Sequence, residues 1–338
     1  MLRVAVIGLG DIANIHIPVI EQNPDAMLVA ICDIDESKRN RVEGAAFYTD
    51  YEEMLDNEMI DCVHVCLPHY LHYPATKACV ERGVHVYQEK PLAHTVEDGR
   101  AIVELEERHP EVNICVSFQN RFNETSVKLF ELIASGEYGK VTGIKGLVVW
   151  YRPKEYYETK PWRGTMEHAG GGVMINQAIH TLDLMQLVGG EVESIRGSID
   201  NLLDYDIEVE DTATANITFT SGVRGLFYAT VANTVNSSVE IEVILEKGVL
   251  SIKDSFLTLT DHEGIETTII EDSKLPGSKF YYGASHSHLI SHFYRCIEQS
   301  SKDYIPAKEA QVTMELIDAI RKSSESKSEI KFNSLERF

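Results

Sequence analysis

Val4-Ala5-Val6-Ile7-Gly8-Leu9-Gly10-Asp11-Ile12-Ala13 carries the chain from an apolar run into a glycine loop and on into a helical pattern. Gly8 permits a tight turn, Gly10 lets backbone approach a bound group, and the small Ala13 lets the helix pack close to the strand. The helix start then offers N–H groups to an anion such as a pyrophosphate. Asp33 ends the next apolar run, 23 positions after Gly10. A carboxylate there accepts hydrogen bonds from both ribose hydroxyls and repels a 2′-phosphate. The stretch therefore predicts a dinucleotide site built on Gly8, Gly10, Asp11, Ile12, Ala13 and Asp33, with NAD favoured over NADP. Arg39, close by in sequence, works against that preference.

The rest of the first third repeats the alternation. Strands are expected over 2–7, 28–32, 62–67, 84–88 and 113–118, and helices over 12–22, 37–45, 51–56, 73–82 and 96–108. Short apolar strands separated by helices mean a parallel sheet covered on both faces. The expected architecture is α/β, with an N-terminal Rossmann doubly wound parallel sheet over residues 1–119. After about Phe122 the pattern changes. A helix is expected over 125–134, closed by Gly136 and Gly139. Ala213, Ala215, Ile217 and Phe219 then share one strand face and Thr212, Thr214, Asn216 and Thr218 the other. Ser221-Gly222 turns into a strand over 223–231. Further strands fit 238–245, 249–253, 256–260 and 266–270, and two helices fit 288–299 and 308–323. Period-two alternation marks a mainly antiparallel sheet with one wetter face. Residues 120–338 are thus expected to form an α+β domain with a large, open, mainly antiparallel sheet for substrate binding and oligomerisation. Its exposed face calls for a partner, so a homodimer or homotetramer is expected.

Composition narrows the function. At 338 residues the chain is too long for one typical core. A net charge of −22 and an isoelectric point near 5.0 leave no basic cluster to displace counterions from nucleic acid. No stretch approaches the roughly twenty apolar residues of a membrane helix. The opening apolar run is too short for a signal peptide, so a cytoplasmic location is expected. None of the six cysteines (Cys32, Cys62, Cys66, Cys79, Cys115 and Cys296) forms a CxxC pair; they read as reduced, buried thiols. Ser285-His286-Ser287-His288 with His292 has metal-like spacing, His288 and His292 being four apart on one helical face, but a zinc site usually adds a carboxylate or cysteine in matching geometry. It reads as a helix start with solvent-facing histidines, and no metal is expected.

His85-Val86-Tyr87-Gln88-Glu89-Lys90-Pro91 ends a strand with a lysine, and carboxyl ends of strands in such sheets face the ligand crevice. Pro91 restricts the backbone of Lys90 and aims it. With GLGDIA at 8–13, CLPHYLHYP at 66–74, EKP at 89–91, QNRFN at 119–123 and GGGVMINQAIHTLDL at 170–184, the chain resembles the Gfo/Idh/MocA family of NAD(P)-dependent oxidoreductases, from Val4 to about Ser323. The resemblance implies that Lys90 contacts the reacting hydroxyl or carbonyl and that the Lys90-Pro91 bond is cis. It implies that Pro68 and His69 line the nicotinamide side of the cofactor pocket, and that His180 is the general acid/base. Leu67, His72, Glu89 and Gln119, in the same motifs, join the cofactor-binding set with Lys90. The chemistry suits these groups. Oxidising a secondary alcohol removes a proton from oxygen while carbon gives hydride to the nicotinamide. An imidazole has a suitable pKa for that proton, and a lysine ammonium stabilises the developing alkoxide.

Asn176 stands where many of these dehydrogenases carry Asp. On a helix it shares a face with His180. It can orient a substrate hydroxyl or the imidazole, but it supplies no charge to raise the histidine pKa. Asp183, near that face, either compensates in part or is a structural helix charge. The departure points away from the inositol branch, toward other sugars or nucleotide sugars. Trp162 offers a sugar ring an apolar face, and Arg163, Arg121 and Asn176 complete the substrate-binding candidates. Tyr151 and Arg152 read as packing and surface charge. The expected function is NAD-dependent hydride transfer between the cofactor and a secondary hydroxyl or carbonyl of a sugar, polyol or nucleotide sugar. Two alternatives stay open: redox-assisted glycoside hydrolysis, in which bound NAD is regenerated, and a non-catalytic NAD-binding sensor.

Overall fold

The computed structural model describes residues 1–273 and 285–332. The chain runs β1 (Leu2–Ile7), α1 (Ala13–Gln22), β2 (Ala26–Cys32), β3 (Ala46–Tyr48), α2 (Tyr51–Asn57), β4 (Cys62–Val65), α3 (His72–Val80), β5 (His85–Gln88), α4 (Val96–Arg108) and β6 (Ile114–Val116). It continues through α5 (Glu124–Ser135), β7 (Val141–Val149), three one-turn helices α6 (Glu155–Glu158), α7 (Met166–Ala169) and α8 (Val173–Asn176), and α9 (Ile179–Gly189). Seven strands follow: β8 (Val192–Asp200), β9 (Thr212–Phe219), β10 (Arg224–Thr230), β11 (Glu240–Leu245), β12 (Gly248–Lys253), β13 (Phe256–Thr260) and β14 (Glu266–Glu271). Helices α10 (Ser285–Glu298) and α11 (Ala307–Ser326) precede the short β15 (Ile330–Lys331). Among the described residues, contacts define two units: 1–119 with 286–314, and 120–285 with 315–338. The return of 286–314 to the first unit has no signature in the sequence.

In the first unit six strands lie in the order β3-β2-β1-β4-β5-β6, and every pair is parallel. Strand order reverses between β1 and β4, so the loops after these two strands flank the switch point where such sheets bind ligands. Val4, Ala5 and Val6 are fully buried, as a strand covered on both faces requires. Asp50 caps α2 by accepting from the Glu52 and Glu53 amides, and Thr95 caps α4 by accepting from Asp98. The helix expected over 37–45 is instead a single turn, Glu36–Lys38, leading to β3. Residues 36–41 offer no buried stripe, and Gly44 at φ 83° turns the chain into the strand.

The second unit holds a nine-stranded sheet, β14-β13-β12-β11-β7-β10-β9-β8-β15. Among the described residues only β7 and β10 of this sheet pair in parallel; the other seven pairs are antiparallel. Ala213, Ala215, Ile217 and Phe219 form the buried face of β9, and the Gly222 amide closes the expected turn onto the Phe219 carbonyl at 2.8 Å. Leu129 of α5 and Leu184 of α9 pack on Ile241, Val243, Leu245, Leu250 and Leu257. Leu226 and Ile244 stay 49% and 42% exposed, so the sheet surface retains apolar side chains. The pattern reading did not single out β7 or β8: Gly143 and Gly146 dilute the first, and Glu193, Arg196 and Asp200 the second. Among the described residues no helix is long and apolar enough to cross a membrane. All six cysteines are free and buried.

Glu106 gives the first unit a pH signature. Burial pushes its carboxyl up to about 7, against the opposing pull of the Ala307 amide and Lys302. A carboxyl whose pKa rises on folding stabilises below its unfolded pKa, and that contribution is lost as pH rises through the folded value. The melting temperature is therefore expected to fall by several degrees between pH 5.5 and 8, and Glu106→Gln to flatten the fall. A melting profile unchanged by the substitution contradicts this assignment.

Candidate active site

The glycine loop leaves β1 under tight steric control. Gly8 has φ 90°, and a Cβ there would sit 2.5 Å from the Cys66 carbonyl oxygen. Its amide donates to Cys32 O, while the Cys66 amide donates to Ile7 O, tying the carboxyl ends of β1, β2 and β4 together. Ala13 is fully buried against the sheet; Asp11 is exposed and Ile12 half-buried. Gly8→Ala is expected to combine backbone strain of about 1–3 kcal/mol with a displaced loop. It should weaken NAD binding by at least about tenfold, as calorimetric titration would show; unchanged affinity contradicts the reading of this loop.

Asp33 closes the same region. Its Oδ2 accepts from the Leu9 amide at 2.7 Å and from Lys38 Nζ at 2.8 Å, and its Oδ1 from the Asp35 amide at 3.0 Å. Burial would raise its pKa, but Lys38 and the two amides outweigh that and lower it. Lys38 was not a sequence candidate; its spacing of five from Asp33 was the available signal. Arg39 instead lies over the Phe47 ring, 4.8 Å from its centroid.

Lys90 follows β5 on a clamped loop. The Lys90-Pro91 bond is cis, as the family resemblance implied. His72 places Nδ1 2.7 Å from Pro91 O and Nε2 2.9 Å from Leu67 O. A neutral ring carries one N–H and donates to one of these carbonyls at a time. Burial lowers the His72 pKa against the pull of both carbonyls. Gln88 Nε2 donates to Leu92 O, and Gln88 Oε1 accepts from Thr76. His72 is fully buried; its ring holds together the two loops that carry Leu67-Pro68 and Lys90. Leu67 and Pro68 are half-buried, and His69 and Gln119 are 5% and 2% exposed. Within residues 86–93 Lys90 alone is partly exposed.

Glu89, next in chain, enters a buried polar cluster that the sequence reading missed. His16 Nε2 lies 2.9 Å from Glu89 Oε1, His16 Nδ1 2.8 Å from His64 Nδ1, and His64 Nε2 2.8 Å from the Tyr294 hydroxyl. His286 Nε2 stands 3.8 Å from the same Glu89 oxygen. Burial opposes charge on His16, but Cys66 and Glu89 prevail and raise its pKa. Burial likewise opposes the Glu89 carboxylate, but His16, His286 and Lys90 hold it well below the usual range. His286 is kept neutral chiefly by burial, which drives its pKa down to about 4. The expectation of solvent-facing histidines at 285–292 is corrected here. His286 is 2% exposed, because the first turn of α10 faces the Rossmann core, and His292 meets the Asp303 carbonyl. Only His288 of the three is exposed.

In the second unit the glycine-led segment is set by Glu210. Its carboxylate accepts from the Gly172 and Met174 amides at 2.9 and 3.1 Å, and a Cβ on Gly172 would fall 1.8 Å from Glu210 O. Asn176 and His180 do not share one continuous helix, contrary to expectation. Asn176 ends α8 and His180 is the second residue of α9. Between them Ala178 N reaches back to Val173 O, and Thr181 N then bonds Ala178 O, so the turn widens and restarts. Even so, Asn176 and His180 are the partly exposed residues in an otherwise buried run, 169–185. Three residues beyond His180, Asp183 accepts from Arg121 Nε and Nη2 at 2.8 and 2.7 Å. The two side chains are 1% and 10% exposed. The Arg121 guanidinium, expected at substrate, thus meets Asp183, and Asp183 has a structural role in holding Arg121. Arg163 lies over the Tyr156 ring at 4.2 Å and near Trp162 at 5.7 Å. Tyr156 also receives Arg152 at 5.4 Å and a hydrogen bond from Gln177 Nε2 at 3.1 Å. Tyr156 was not a candidate; Arg152 four residues before it and Arg163 seven after it were the available signal.

A parallel sheet with a glycine loop and terminal aspartate, together with a second unit presenting a histidine beside an open mixed sheet, defines a dinucleotide-dependent oxidoreductase. Residues 2–118 match the NAD-binding Rossmann fold of the Gfo/Idh/MocA oxidoreductase family, and residues 127–251 match a Gfo/Idh/MocA C-terminal domain; the chain belongs to that family. The myo-inositol 2-dehydrogenase of Thermotoga maritima is 25% identical, with 99% of each chain covered. The D-glucoside 3-dehydrogenase of Escherichia coli is 31% identical over 56% of this chain and 54% of its own. The WlbA dehydrogenase from Chromobacterium violaceum, solved in complex with NADH and UDP-GlcNAcA, superposes with a TM-score of 0.85 at 27% identity, covering 98% of this chain and 96% of that one.

Proposed function

We propose that this protein oxidises a secondary hydroxyl of a sugar, polyol or nucleotide sugar with NAD, or reduces the corresponding carbonyl. The observation that carries this reading is Lys90: a partly exposed cation on a loop clamped by His72 and Gln88, at the carboxyl end of β5. Bound NAD supplies the hydride acceptor. Lys90 donates a hydrogen bond to the reacting oxygen and stabilises its negative charge, and His180 takes the hydroxyl proton. Asn176 orients a hydroxyl without adding charge. Trp162, Arg163 and Tyr156 supply an aromatic and cationic surface suited to a sugar ring and its acidic or hydroxyl substituents. Arg121 acts through Asp183, as a positioning residue for α9. The inositol, glucoside and nucleotide-sugar relatives favour this substrate class. The apolar side chains on the nine-stranded sheet support a homodimer or homotetramer through that sheet.

The test is the reduced-nicotinamide absorbance of the full chain with NAD across a panel of sugars, polyols and nucleotide sugars. Signal with one class is expected; none with any class, despite measured NAD binding, rejects the reading. Asp33 favours NAD over NADP through its carboxylate, although Lys38 neutralises part of that charge. Asp33→Ala is expected to lower the NAD-to-NADP ratio of kcat/KM by about tenfold or more, for a loss near 1.4 kcal/mol. An unchanged ratio contradicts its assigned role.

A further inference from the structure

We propose that His16, Glu89 and His286 form a binding site for one divalent transition-metal ion, with Zn²⁺ the best match to the donor set. One ligand atom from each residue lies within 4.8 Å of the other two, and all three residues are buried. His16 Nε2 and Glu89 Oε1 are 2.9 Å apart, and His286 Nε2 and the same oxygen 3.8 Å apart. Metal–ligand bonds of about 2.0–2.2 Å at tetrahedral angles separate donor atoms by roughly 3.4 Å, and the two distances bracket that value. Two imidazoles and one carboxylate form a zinc set that leaves a fourth position for water.

The surroundings fit. The other nitrogen of His16 is held by His64 at 2.8 Å, and His64 by the Tyr294 hydroxyl at 2.8 Å. Such an outer chain fixes ring orientation at a metal. In the ion-bound state the metal replaces the proton shared by His16 and Glu89. The three ligands come from α1, the end of β5 and α10, so the ion cross-links segments distant in sequence. It stabilises the folded first unit in proportion to its affinity.

The experiment uses the full chain freed of any polyhistidine tag and stripped with chelator. Co²⁺ is titrated while the visible d–d band is followed, and melting is measured with and without Zn²⁺. One equivalent of Co²⁺ is expected to give a tetrahedral-type band, and Zn²⁺ to raise the melting temperature by several degrees. His16→Gln and His286→Gln should lose both effects. His292→Ala should keep both; it removes the other histidine of α10 that lies near possible donors, Cys296 and Asp303. Circular dichroism at the titration temperature confirms that each variant is folded. Absence of the band in the wild-type chain at millimolar Co²⁺ overturns the site. So does a band that survives in folded His286→Gln or vanishes in His292→Ala.

Discussion

Lys90→Ala is expected to lower kcat/KM for hydride transfer by about two to three orders of magnitude, the typical cost of removing one preorganised donor to a developing oxyanion. NAD affinity should change only a few-fold, because the glycine loop and Asp33 remain. Lys90 sits alone as the partly exposed side chain in a buried stretch, and its loop is pinned by His72 to Pro91 O and by Gln88 to Leu92 O. On the proposed reading the pinned loop presents Lys90 to the reacting oxygen, and its contribution is expected on the transition state rather than on uniform binding. Steady-state kinetics with matched NAD titrations check this. Loss confined to KM would assign Lys90 to binding instead.

Asp183→Ala carries the largest expected effect on stability. The carboxylate is 1% exposed and bonded twice to Arg121, itself 10% exposed. Removing the carboxylate takes two charge-assisted hydrogen bonds and the adjacent counter-charge from a guanidinium that is only 10% exposed, at a cost of about 3–5 kcal/mol. For a unit of this size that is roughly ten degrees or more in melting temperature. Replacing both partners, as Arg121→Met with Asp183→Leu, should cost less than either single change, because neither charge is then buried without the other. Chemical denaturation of the singles and the double measures this. Additive losses would show that the pair does not act as a unit. Since Asp183 lies on α9 three residues from His180, the single change is also expected to disturb any activity that depends on that helix.

Local features were legible in the sequence. The Gly8 loop, the Asp33 terminus and the Lys90-Pro91 turn are each written in consecutive residues whose backbone demands are specific. The alternation on β9 likewise needs only a short window. What stayed hidden depends on partners far apart in the chain. Arg121 and Asp183 are 62 residues apart, and nothing local distinguishes a substrate-binding arginine from one buried against a helix. His286 read as solvent-facing because its neighbours are polar, yet the return of residues 286–314 to the first unit brings it to Glu89. The break between Asn176 and His180 comes from a widened turn over ordinary helix-forming residues, with no glycine or proline to mark it.

The most direct test of the proposed chemistry is isotopic. A substrate from the responding class, deuterated at the carbon bearing the reacting hydroxyl, is incubated with the protein and NAD, and the cofactor is examined by NMR. Deuterium is expected on the nicotinamide ring of accumulated reduced cofactor, at a rate lost in Lys90→Ala. Deuterium retained in a cleaved sugar product, with the cofactor still oxidised, would contradict net dehydrogenation and favour redox-assisted hydrolysis.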